Sequence, residues 1–129
     1  MKYLKFYVLV ALVAVGFDVL ASLVSRQFQI LYTYFGIGSF IIYFAAGFLG
    51  CRRLGFIGGA AAGLVAGLSD ATLGWLFSFF IRPYCPDCYP QLNAVIVAFT
   101  IAMVSTVGTL CGLLGVGVAT LTGRSDAAS

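Results

Sequence analysis

Between Arg26 and Arg52 the chain runs for 25 residues without a charged side chain, and between Asp87 and Arg124 it does so for 36. No other feature constrains the fold as strongly. About 20 apolar residues make a helix that crosses a bilayer. Backbone groups in lipid must find partners within their own segment, so such runs are helices. Only 9% of the 129 residues are charged, against roughly 25% in a soluble domain. A soluble domain is therefore excluded. The net charge of +3 carries no nucleic-acid signal, and the lipid bilayer is the first partner.

The apolar runs predict four helices, over about 6–25, 32–50, 56–81 and 93–121. Short links favour antiparallel neighbours. The expected fold is all-α: an integral membrane four-helix bundle, up-down-up-down, one domain over 1–129. Lys2, Lys5, Arg52, Arg53 and Arg124 fall on one side, Arg26 and Arg82 on the other. The positive-inside rule then places both termini in the cytoplasm of a multi-pass inner (plasma) membrane protein. The basic start and apolar core also resemble a signal peptide. The run is long enough to span as it stands, and keeping it gives the consistent charge pattern.

Each predicted helix carries small residues at spacings of three and four, which puts them on one face. The third has Ala60, Gly63, Gly67, Asp70 and Gly74, overlapped by Gly59, Gly63 and Gly67. The fourth has Ser105, Gly108, Gly112, Gly115 and Ala119. Burying apolar surface gives helices no reason to associate in lipid, whereas close approach over small residues does. These stripes are expected to glue the bundle, or to glue it to a second copy or a larger membrane complex.

Asp18 and Asp70 interrupt the first and third helices. An Asp at mid-membrane costs about 2.5–3.5 kcal/mol on insertion scales, so two of them need a reason. No Lys, Arg or His lies at the same depth, and burial without a counter-charge favours the neutral acid. Counting from the turns, Asp70 lies level with Val104 or Ser105, and Asp18 with Ile37 to Ser39. The expected polar cluster is Asp18, Asp70, Ser39 and Ser105, able to hold a proton or a cation. The alternative is hydrogen-bond glue. Val13-Ala14 and Val65-Ala66 precede the two acids by the same offset, a faint sign of a duplicated two-helix unit.

Four short helices with an acid in the first resemble the small multidrug resistance transporters in architecture. The essential acid of that family is a Glu in a distinct local sequence, which this chain lacks, so the likeness ends there.

Cys85 and Cys88 form a CxxC between three prolines on the expected outer side, where a disulfide is the natural state. Bundles related to vitamin K epoxide reductase and the bacterial quinone-linked oxidase resemble this arrangement. They relay electrons through a second cysteine pair, whereas Cys51 and Cys111 here lie far from the CxxC. With no His, no tetrahedral metal site can be completed, and no metal or cofactor is expected. The sequence favours a non-enzymatic membrane protein: a cation- or proton-coupled carrier of a small solute, or an accessory subunit packing through glycine faces. An extracytoplasmic thiol-disulfide oxidoreductase is the alternative.

Overall fold

The computed structural model describes residues 2–86 and 93–127. All the regular elements in them are helical: α1 (Lys2–Phe28), a 3-10 turn (Tyr32–Phe35), α2 (Gly36–Ser69), a π turn (Asp70–Gly74), α3 (Trp75–Ile81) and α4 (Ala94–Ala127). Three stretches are long and apolar enough to cross a membrane: Tyr3–Phe28, Tyr32–Ile81 and Ala94–Gly123.

The packing is inside-out relative to a soluble protein. Most of the buried residues are small or polar, among them Ala14, Asp18, Ser22, Ser25, Ala62 and Ala66, with Val10, Tyr43 and Val116 the larger exceptions. Leu12, Leu20, Ile41, Ile57, Phe99 and Leu114 point outward. Water tolerates scattered apolar side chains but not a continuous apolar coat. A bilayer solvates such a coat and leaves small residues to bring helices together. Hydroxyls along the helices bond back to their own backbone, as Thr72 does to the Leu68 carbonyl and Thr106 to that of Ala102. This satisfies them without a partner helix.

The second apolar stretch is 50 residues long, about 75 Å if straight. A hydrocarbon core of about 30 Å cannot hold that length. The chain folds back at Gly55, whose φ of +80° and ψ of −178° are open essentially only to glycine. α2 is therefore two limbs, 36–54 and 56–69. They touch so closely that a Cβ on Gly59 would stand 2.6 Å from the Gly47 carbonyl oxygen. Tyr43 on the first limb reaches Asp70 just beyond the second.

α4 packs along α2 through glycine. A Cβ on Gly63 would lie 2.7 Å from Gly112 Cα, and one on Gly67 would lie 3.0 Å from Gly108 Cα and 2.9 Å from the Val104 carbonyl oxygen. Gly47 of the first limb also abuts Gly112, and Gly115 abuts Phe44 and Phe48. Three helical segments thus meet where no side chain intervenes. Stepping four residues along one helix steps four back along the other, an antiparallel register that brings Asp70 level with Ser105.

The side chains sort into two ends. At one, Arg53 lies over the Phe6 ring, Arg52 donates to Thr122 Oγ1 at 3.3 Å, and the Tyr7 hydroxyl donates to the Gly58 carbonyl at 3.5 Å. The start of α1, the Gly55 turn and the later part of α4 are therefore neighbours. At the other end Arg26 Nη1 donates to the Ile81 carbonyl at 3.0 Å, and the Tyr32 N–H donates to the Tyr84 carbonyl at 3.1 Å.

Candidate functional site

The π turn aims the site. In an α-helix each residue advances about 100°, so Ser78 would stand about 80° around from Asp70. Here the Trp75 N–H reaches back five residues to the Asp70 carbonyl. The turn holds one extra residue and rotates everything after it back by about 100°. Ser78 and Asp70 then share the face that looks at α1.

Asp18 of α1 meets that face and is buried. Ser78 Oγ donates to its Oδ2 at 2.6 Å, and the Tyr32 hydroxyl donates to its Oδ1. Ser78 has one proton and spends it on Asp18, so Ser22 is the donor in the 2.7 Å Ser22–Ser78 bond. Tyr32 is itself held in place. Its N–H bonds to the Tyr84 carbonyl, and the Tyr84 N–H bonds at 3.1 Å to Ser25 Oγ, which in turn donates to the Ile30 carbonyl.

Asp70 has a different environment. Its Oδ2 accepts from the Tyr43 hydroxyl, and its Oδ1 is buried with no hydrogen-bond partner. A Cβ on Gly74 would sit 2.8 Å from this Oδ1 and 3.0 Å from Asp18 Oδ2, so the two oxygens are at most 5.8 Å apart. Gly74, expected to be a packing residue, instead leaves the room in which the carboxyls converge.

Both carboxyls line one cavity of about 310 Å³. Its walls include Tyr32, Phe35, Phe40, Tyr43 and Trp75, and Met103 and Val107 of α4 close one side. None of the residues lining it is basic. Asp18 lies eight residues before Arg26, about 12 Å along the helix, and Asp70 lies twelve before Arg82, about 18 Å. The cavity is therefore nearer the Arg26–Arg82 end, well inside the apolar stretches.

The expected cluster is partly assembled. Asp18, Asp70 and Ser39 all line the cavity. The expected serine partnerships are not made, because Asp18 bonds to Tyr32 and Ser78, while Asp70 and Ser105 are level without bonding to each other. Ser105 Oγ is buried with no partner. Tyrosines took the place assigned to serines because a phenol reaches across a helix interface that a short hydroxyl cannot. Tyr43 follows Ser39, and Ser22 follows Asp18, by four residues or one helical turn, whereas Ser78, eight after Asp70, leaves that face in a regular helix. Those two spacings were the available signals for the missed residues.

Among the described residues no group of three or more Cys, Asp or Glu side chains is placed to hold a metal ion. Cys51 and Cys111 are free thiols. Cys85 is buried beside Arg26 and Arg82, and Cys88, with the pairing expected of it, lies outside the described residues. Comparison with known protein families, curated proteins and solved structures finds no match for this chain.

Proposed function

We propose that the chain is a four-helix inner-membrane carrier, up-down-up-down with cytoplasmic termini, that exchanges a proton for a cation at the Asp18–Asp70 pair. The observation carrying this reading is the convergence of two carboxyls, from different helices, on one cavity without a basic residue in its lining. Two full negative charges about 6 Å apart repel by about 3 kcal/mol at an effective dielectric of about 20. A proton or a cation relieves that repulsion, and the two compete for the same oxygens. Uptake of one therefore releases the other.

The partners divide the roles. Asp18 accepts on both oxygens, as an ionised carboxylate does. Asp70 has one oxygen that accepts no hydrogen bond and carries the exchangeable proton. The gathering of Lys5, Arg52 and Arg53 toward the Gly55 end supports placing that end in the cytoplasm. The accessory-subunit reading has less support, since Gly59, Gly63, Gly67, Gly108, Gly112 and Gly115 are already packed within the chain.

A protonated carboxyl in apolar surroundings adds across the C=N bond of a hydrophobic carbodiimide, oxygen to carbon and proton to nitrogen, which tests the reading directly. Mass spectrometry of the purified protein is expected to find Asp70 modified, with labelling suppressed as the pH rises. Asp70→Asn is expected to abolish proton-coupled flux in proteoliposomes while the protein still assembles. An unlabelled Asp70 at every pH, in a folded protein, would defeat the proposal.

A further inference from the structure

The end of the bundle away from Gly55 holds a second cavity, which shares no residue with the first. We infer that Arg26 and Arg82 bind a phosphate monoester there, carried on a membrane lipid or free in solution.

Two helix ends make the site. α1 closes with the Ile30 N–H on the Ser25 carbonyl at 3.2 Å, and α3 with the Arg82 N–H on the Ser78 carbonyl at 2.8 Å. Each closure uses one residue in the left-handed region, where glycine is the usual choice. Here those residues are Gln29 and Arg82, each with a φ of 54°. Among the described residues no other non-glycine residue has a positive φ. Both line one cavity of about 360 Å³. A Cβ is strained in this region and glycine is not. The chain thus keeps two long polar side chains where bare backbone would be easier. Strain of this kind collects at ligand sites.

The charge in the lining has one sign. Arg26 and Arg82 are both part of it, and among the described residues no acid is. A lone arginine at a membrane rim anchors its own helix. These two come from different helices. Arg26 Nη1 donates to the Ile81 carbonyl at 3.0 Å, against the backbone that leads into Arg82. Like charges brought to one cavity repel, and an anion between them removes the repulsion.

The donors select the anion. A guanidinium has five N–H groups in a fixed fork. Arg26 spends one on Ile81, and no acceptor among the described residues takes the guanidinium of Arg82. A carboxylate offers two oxygens and a single charge. A phosphate monoester offers three oxygens and about −1.5 to −2 charges at neutral pH, which suits two forked cations. The phosphate diester of a common phospholipid leaves one of the two charges unmatched.

The walls are set before any ligand arrives. The Tyr84 N–H donates to Ser25 Oγ at 3.1 Å, and the Tyr84 carbonyl accepts from the Tyr32 N–H. Pro83 and Pro86, on either side, have their φ fixed by their rings. Little ordering is left for binding to cost. The cavity lies where the apolar stretches Tyr3–Phe28 and Tyr32–Ile81 stop, so a lipid headgroup and a soluble phosphate both reach it.

The probes are phosphatidic acid, phosphatidylglycerol and inorganic phosphate, offered to the full chain in phosphatidylcholine nanodiscs. Native mass spectrometry counts retained lipid, and thermal melts read inorganic phosphate. Phosphatidic acid is expected to be held roughly 10-fold more tightly than phosphatidylglycerol or better. Arg82→Gly removes the guanidinium and relaxes the backbone. It should lower phosphatidic acid affinity by roughly 10-fold or more while the melting temperature without ligand stays level or rises. Gln29→Gly should show the same pattern with a smaller loss of affinity. Arg26→Lys keeps the charge without the fork and should also weaken binding. Arg52→Gln, at the other end, should change nothing.

Stabilisation by inorganic phosphate, with displacement of phosphatidic acid, would identify free phosphate as a ligand. Retention of phosphatidic acid alone would make the phosphate lipid-borne. Both outcomes support the site. Equal retention of phosphatidylglycerol overturns the monoester assignment. Loss of bound lipid in Arg52→Gln but in none of the Gln29, Arg26 and Arg82 variants places the lipid at the Gly55 end and overturns the inference. So does binding that appears only in Asp87→Asn, because that carboxylate would then be the occupant.

Discussion

Asp18 and Asp70, 52 residues apart in the chain, converge over the bare Cα of Gly74. That relationship organises the polar interior. It depends on α1 packing against the π turn and on a residue at position 74 with no side chain. Convergence is what distinguishes this pair from two isolated intramembrane acids, each of which could be satisfied alone as a hydrogen-bonding group.

Gly74→Ala tests the convergence. The added methyl would stand 2.8 Å from Asp70 Oδ1 and 3.0 Å from Asp18 Oδ2, so at least one carboxyl must move. Overpacking of this kind costs about 1–3 kcal/mol. A lower melting temperature is expected, together with altered carbodiimide labelling of Asp70. Unchanged labelling at equal folding would show that the oxygens need not meet there.

Tyr43→Phe and Tyr32→Phe should differ. The first strips Asp70 of the one partner it has, and a buried group left unsatisfied costs about 1–3 kcal/mol. The second leaves Asp18 its bond to Ser78. Thermal unfolding in detergent should show the larger loss for Tyr43→Phe. An equal or reversed order would mean that Asp70 is satisfied by another group.

Two glycine substitutions of identical chemistry should have opposite signs. Alanine is favoured over glycine within a helix by about 0.8–1.0 kcal/mol. Gly117 has open space around its Cα, so Gly117→Ala should be neutral or stabilising. At Gly63 the methyl would meet Gly112 Cα at 2.7 Å, a backbone atom that cannot yield without separating α2 from α4. Gly63→Ala should destabilise. Circular dichroism melts of the two variants provide the comparison.

Much of this arrangement was legible in the sequence because it rests on spacing alone. The antiparallel count set Asp70 level with Val104 or Ser105, and the glycine register of α2 and α4 places it there. The inward small-residue stripes follow from helical periodicity and from the lack of any hydrophobic drive between helices in lipid. The illegible part lies in how far side chains reach and how the backbone bends. Tyr43 spans an interface that Ser39 and Ser105 cannot, and length across a gap is not encoded in position along a stripe. The π turn was also hidden, because a five-residue turn has no composition of its own. Gly74 looked like packing because its spacing matched Gly63 and Gly67.

The π turn makes a prediction that an α-helix would not. It holds one residue beyond the α-helical count, so removing one residue from it should restore an α-helix without rotating α3. Leu73 is half exposed and carries none of the site's bonds. With Leu73 deleted, Ser78 stands seven positions after Asp70, about 20° off the same face, and can still reach Asp18. Deleting Leu64, equally outward-facing but in the regular part of α2, rotates every later residue of its helix by about 100°. Asp70 and Ser78 then leave their partners, and Gly67 leaves Gly108. The Leu73 deletion should fold and keep most of its melting temperature, whereas the Leu64 deletion should lose the cooperative transition. Equal damage from the two deletions would mean that the turn after Asp70 is not the adjustable element.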